Sequence, residues 1–124
     1  MADRSINVRL HDIEGEIDGI LQLTEGCDDQ EFAASWGMKR AVQHALLIIA
    51  EAAKHIPPEL KAQRPEVPWQ KIHGLGNLLR HEYRRVDPLI LWSVVTDHLA
   101  PLREAVSFMF RVLDREAQQR ERGP

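Results

Sequence analysis

Apolar residues recur along the first part of the chain at helical spacing: Ile6, Leu10, Ile13, Ile17 and Ile20 are separated by four, three, four and three residues. Such spacing draws one stripe along an α-helix, and a strand, with its period of two, would not give it. The pattern predicts a helix from about Arg4 to Leu23, with Ser5 as N-cap and Thr24-Glu25-Gly26 as its stop. Asp28 and Asp29 open the next helix, where carboxylates accept from unpaired amides and complement the helix dipole. Its stripe of Phe32, Trp36, Val42, Ala45, Leu46, Ile49 and Ala53 predicts one long helix to about His55. Around Leu46-Leu47-Ile48-Ile49-Ala50 the helix is apolar on almost every side, which marks the most deeply buried segment. Pro57-Pro58 ends it, because proline cannot continue the hydrogen-bond ladder.

Four prolines between Pro57 and Pro68 predict a stiff surface loop. A third helix starts near Pro68-Trp69, turns Ile72, Leu75, Leu78 and Leu79 inward, and reaches about Tyr83. Asp87-Pro88 caps a fourth, which runs through Leu89, Trp92, Val95 and Leu99. Pro101 kinks or restarts the chain, and Leu102, Val106, Met109, Phe110 and Leu113 continue the stripe. With no internal repeat and no strand pattern, the expected fold is all-α: an up-and-down bundle of four to five antiparallel helices. Residues 1–114 form that domain, and 115–124 read as a charged tail that frays.

Composition adds limits. A length of 124 residues fits one core that folds without staples. Cys27 is the single cysteine, so no disulfide forms within the chain, as suits a reducing compartment. Met1 to Ser5 lacks the apolar segment of a signal peptide, and the longest apolar run, Ala45 to Ala50, is too short to span a bilayer. The expectation is a soluble, cytoplasmic protein with no membrane role. A net charge of -3 argues against a protein that coats duplex DNA. It leaves room for a local basic site, and Arg80, His81, Arg84 and Arg85 fall within six residues.

The chemistry gathers there. Asn77 and His81 are four apart and share one face of the third helix, while Gly76 and Arg80 share the neighbouring face. Tyr83 follows at the helix end, flanked by Arg84 and Arg85. A histidine can move the proton of a ribose 2′-hydroxyl or of a leaving oxygen. An arginine can stabilise charge on a phosphate through its planar fork, and an asparagine can orient either partner. Tyrosine offers a stacking surface or a phenol open to modification. By itself an Arg-His pair on a helix more often marks a solvated face than an active site. His11, His44, His55, His73 and His98 show no spacing typical of a zinc site, so no metal and no cofactor are expected. Acidic Asp28 and Asp29 beside Cys27 argue against a thiolate nucleophile. Trp69 and Trp92 read as packing anchors, and Glu51 either bonds the motif helix or faces water.

The stretch Asn77-Leu-Leu-Arg-His81-Glu-Tyr83-Arg-Arg-Val86-Asp87, with Trp69 before it and Trp92 after it, resembles the HepT-type (DUF86) branch of the HEPN superfamily. The resemblance spans about Arg40 to Leu102, including Ile49-Ala50-Glu51-Ala52-Ala53 and Leu99-Ala-Pro101-Leu102. It implies a HEPN-like helical bundle that forms a two-fold homodimer, with a metal-independent endoribonuclease site composite between protomers. It also implies a toxin neutralised by a MntA-like minimal nucleotidyltransferase, which transfers AMP to the motif tyrosine. Carried over by position, His81 matches the catalytic histidine, Asn77 the polar residue after the motif arginine, and Tyr83 the AMP acceptor. Arg84 and Arg85 are candidate phosphate contacts for RNA or for the partner's nucleotide.

One position departs. Gly76 stands where the motif arginine belongs, so either Arg80, one turn along, supplies the cation, or catalysis is weakened or lost. The shared helix face favours Arg80. The alternative is a catalytically degenerate binding module that only holds a nucleotidyltransferase. A plain helical scaffold, the third option, gives no reason for Asn77, Arg80, His81 and Tyr83 to cluster. Gly74 and Gly76 would also let two helices approach closely, at a dimer axis for example.

Overall fold

The computed structural model describes the backbone of residues 2–123 and the side chains of residues 5–123. Helix α1 (Ala2–Leu23) begins upstream of Ser5, so Ser5 lies inside the helix instead of capping it. At its other end Thr24 Oγ1 donates to the Ile20 carbonyl at 2.8 Å, and Gly26 takes the positive φ of 77° that turns the chain. The Asp28 start is as expected. Its carboxylate accepts from Glu31 N, and Glu31 returns a bond to Asp28 N, which closes a capping box.

The long second helix of the sequence reading is two helices. α2 (Asp29–Ala34) stops at Ser35, whose backbone is extended at φ -95° and ψ 105°. The Ser35 hydroxyl then accepts from Met38 N at 3.0 Å and caps α3 (Trp36–Lys54). A serine can offer the amides this local partner, so a continuous apolar stripe did not require a continuous helix. The proline-rich loop contains a short turn, α4 (Pro58–Lys61), and buries Leu60 and Val67. α5 (Trp69–Glu82) follows and tightens into a 3₁₀ turn, Tyr83–Arg85.

Asp87 caps α6 (Pro88–Ser93), again through its carboxylate, to Leu89 N at 2.9 Å. The chain then widens into a π-helical turn, Val94–His98, before α7 (Leu99–Arg122). Pro101 sits in the first turn of α7. It has no N–H to give the preceding turn, and the wider turn just before it absorbs the break. α7 stays helical through Arg115–Arg122, the stretch read as a tail, although most of its side chains there are exposed.

Four long helices, α1, α3, α5 and α7, carry the bundle, and no strand occurs among the described residues. α1 packs between α3 and α7, and α5 lies on the other flank of α3. Leu10, Ile13 and Ile17 from α1, Val42 from α3, and Val106 and Met109 from α7 are fully buried at the centre. Burial of each such side chain is worth about 1.5–3 kcal/mol. α1 and α7 run antiparallel, since Asp18 meets Arg103 and His11 meets Phe110, and so do α3 and α5, since Ala50 meets Gly76 and Gln43 meets Tyr83. Trp69 and Trp92 are anchors, as the sequence implied. The Trp69 indole N–H donates to the carbonyls of Lys61 and Arg64, and Trp92 packs on buried Phe32 at 5.2 Å.

Candidate functional site

The site grows from the seam between α3 and α5. Gly76 is buried against Ala50, so closely that a Cβ added at position 76 would lie 2.6 Å from the Ala50 Cβ. Real Cβ atoms do not approach that closely, so glycine is what lets these two helices touch. The close approach is therefore within the chain; Gly74 has no neighbour within 4 Å of its Cβ position.

One turn beyond Gly76 on the same face, Arg80 forms an ion pair with Glu51 of α3, the residue next to Ala50. Lys54 lies 3.3 Å from the same carboxylate oxygen. Glu51 therefore bonds the motif helix, which settles the choice left open by the sequence. The pair is half-exposed and worth at most about 1 kcal/mol. Its consequence is placement: the pair biases the Arg80 guanidinium towards the α3 side of the motif helix.

Asn77 and His81 lie on the adjoining face of α5, both exposed. Neither side chain has a hydrogen-bond or ionic partner among the described residues, and they do not bond to each other. The structure thus brings Arg80 to Glu51, leaves the His81 ring open to a substrate, and sets Asn77 one turn behind it. Arg85 pairs with Glu82 at 3.4 Å. Arg84 has no carboxylate partner among the described residues, and its guanidinium lies 5.7 Å from the centre of the Tyr83 ring. Tyr83 itself is 39% exposed.

Three residues of this region are not flagged by the motif. Gln43, buried in α3, donates through Nε2 to the Tyr83 carbonyl at 3.1 Å and accepts at Oε1 from Arg40 at 2.9 Å. The Arg40 guanidinium then lies 4.9 Å from the Tyr83 ring centre and 5.6 Å from that of Trp36. Trp36, assigned to the apolar stripe, is 71% exposed. Once Ser35 breaks the helix, Trp36 becomes a first-turn residue facing water. The available signal was the spacing of Trp36, Arg40 and Gln43 along one face.

His73 points elsewhere. Its Nε2 meets the Lys61 ammonium at 3.2 Å, on the α4 side of α5. Burial, together with nearby Lys61 and Lys54, holds the imidazole below its ordinary value of 6.5. Burial likewise lowers Lys61, whose ammonium donates to the Ala53 carbonyl at 3.0 Å. On the far side of α5, an apolar groove of about 420 Å³ runs between Leu75, Val94 and Leu102. It lies apart from Arg80 and His81. Among the described residues, no three His, Cys, Asp or Glu side chains gather to hold a metal ion, and no helix is long and apolar enough to cross a membrane.

An all-helical bundle with Arg80-His81-Glu-Tyr83 at the end of a flanking helix is HEPN-like. Residues 13–109 match the family described as ribonuclease HepT-like, and the chain belongs to that family. A Methanocaldococcus jannaschii protein named provisionally as an RNase is 30% identical over 109 residues, which cover 88% of this chain and all of the relative. A second from that organism, similarly named, is 29% identical across 92% of this chain and 98% of its own length. A Thermococcus cleftensis protein named as a probable ribonuclease HepT is 34% identical over 81% of this chain and 91% of its own. No solved structure matches the chain.

Proposed function

We propose that the chain is an endoribonuclease toxin that cleaves RNA without a metal ion, as a homodimer with a site composite between protomers. The observation that carries this reading is the Arg80–Glu51 pair: with position 76 closed by Ala50, it draws a guanidinium to the helix face adjoining the open His81 ring. In the proposed step the imidazole takes the proton of a ribose 2′-hydroxyl, and that oxygen bonds to the adjacent phosphorus. The bond from phosphorus to the 5′ oxygen breaks, and the leaving oxygen takes a proton from the imidazolium of the second protomer. The products are a 2′,3′-cyclic phosphate and a free 5′-hydroxyl. Arg80 stabilises the charge that builds on the phosphoryl oxygens, and Asn77 orients the ring or the phosphate.

Leu89 and Ile90, 61% and 53% exposed at the start of α6, support a dimer. They leave an apolar patch in water next to the 3₁₀ turn of the site. The half-exposed Tyr83 supports control by a MntA-like nucleotidyltransferase, since its phenol is open to AMP transfer and adjoins the cations that RNA would need. His81→Ala is expected to abolish RNA cleavage while circular dichroism stays helical and the oligomer is unchanged. Retained cleavage overturns the assignment.

A second reading is favoured by one observation. Position 76 has no room for a side chain, so the motif cation cannot stand in its usual place. In that reading the chain binds a nucleotidyltransferase and cuts nothing. An unmodified dimer that leaves single-stranded RNA intact would support it.

A further inference from the structure

We propose that Trp36, Arg40, Tyr83 and Arg84 form a stacking platform that holds unpaired bases of single-stranded RNA a few nucleotides from the cleavage residues. The proposal takes its ligand class from the nuclease reading and adds a binding surface to it. The four groups alternate aromatic and cation: the Arg40 guanidinium sits 5.6 Å from the Trp36 ring centre and 4.9 Å from that of Tyr83, and Arg84 follows at 5.7 Å. Aromatic faces and guanidinium planes are the surfaces on which splayed bases stack, while the same cations meet the phosphates.

The arrangement is built, not incidental. Gln43 is only 8% exposed, and both ends of its amide are used: one fixes Arg40, the other fixes the backbone at Tyr83. A buried amide that satisfies two partners holds its surroundings rigidly. That bridge spans forty residues of sequence and locks the start of α3 to the end of α5.

Charge separates this cluster from its neighbours. Arg80 and Arg85 are each paired with a glutamate. Arg40 and Arg84 have no carboxylate partner among the described residues, so neither has to share its guanidinium between a glutamate and a phosphate as Arg80 does. Packing between α3 and α5 accounts for Arg40 and Tyr83. It does not account for Trp36, which leaves 71% of its surface in water despite the guanidinium beside it. Trp36, Arg40, Gln43 and Glu51 follow one face of α3, so the row leads from the platform to the Arg80 pair. At 1.5 Å per residue the span is about 22 Å, the reach of a few nucleotides.

The probe is a short 2′-O-methyl oligoadenylate, which has no 2′-hydroxyl and cannot be cleaved by the proposed step. Binding is read by tryptophan fluorescence and anisotropy. The intact protein is expected to bind with quenching, Trp36→Ala to bind about tenfold or more weakly, and Trp36→Phe to recover most of the affinity. Arg40→Gln is expected to weaken binding and to reduce its salt dependence. A duplex of the same sequence, its bases already stacked, is expected to compete poorly. Unchanged affinity in Trp36→Ala overturns the platform, as does no binding by the intact protein. A change of oligomeric state in Trp36→Ala, seen by sedimentation, also overturns it, because this face would then be a protein interface. Cleavage of natural RNA is measured separately. A protein that cuts nothing yet binds through Trp36 removes the nuclease reading alone, and a Trp36→Ala variant that binds as before while the protein cuts removes the platform alone.

Discussion

Gly76 decides more than its size suggests. Replacing it with alanine gains roughly 1 kcal/mol of helix propensity, but the new Cβ meets the Ala50 Cβ, which is fixed to its own helix backbone. Overpacking of this kind costs about 1–3 kcal/mol. Gly76→Ala is therefore expected to lower the midpoint of urea unfolding, and Ala50→Gly in the same chain to recover part of the loss. Additive effects of the two changes would contradict the contact. His73 gives the second prediction at this scale. Its folded pKa lies below the ordinary histidine value, so the unfolded chain takes up a proton at higher pH than the folded one. The contribution is complete above about pH 6.5 and is lost as the pH falls from there to the lower folded value. Thermal midpoints are expected to drop over that window, with a smaller drop for His73→Gln. Equal slopes for the two proteins would remove the role.

At the scale of elements, the break at Ser35 is the informative case. Its hydroxyl caps α3, so Ser35→Ala is expected to cost about 1 kcal/mol, measured by chemical denaturation, while Ser35→Asp keeps most of the stability. An unchanged midpoint in the alanine variant would mean that the cap is idle. The sequence predicted the stripes, the Asp28 and Asp87 caps and the breaks at the prolines, because each depends on residues within one turn of each other. It joined α2 to α3 because Trp36 continued the apolar period, whereas the cap chemistry of Ser35 prevailed and turned Trp36 outward. The motif residues Asn77, Arg80, His81 and Tyr83 were legible for the same local reason. Gln43 and Arg40 were not, since their importance comes from Tyr83, which is distant in sequence and forty residues from Gln43. Glu51 stood in between: its place on α3 was visible, but its tie to Arg80 needed the packing of two helices.

For the whole molecule, the exposed pair Leu89 and Ile90 makes a prediction about assembly. With Leu89→Glu and Ile90→Glu together, sedimentation is expected to show a monomer that stays helical and no longer cuts RNA. A dimeric double variant would place the contact elsewhere on the surface. The opposite flank of the bundle, where α1 packs on α7, takes no part in these expectations. Its interior is apolar and its rim carries ordinary ion pairs, such as Arg103 with Asp18.

The Gly76–Ala50 contact also has an evolutionary consequence. A single change of that codon to arginine would push two helices apart before the added charge could serve any chemistry. A cation at position 76 therefore needs the opposing helix to give way first. While Ala50 stands opposite, a lost Arg80 guanidinium is not readily replaced from position 76.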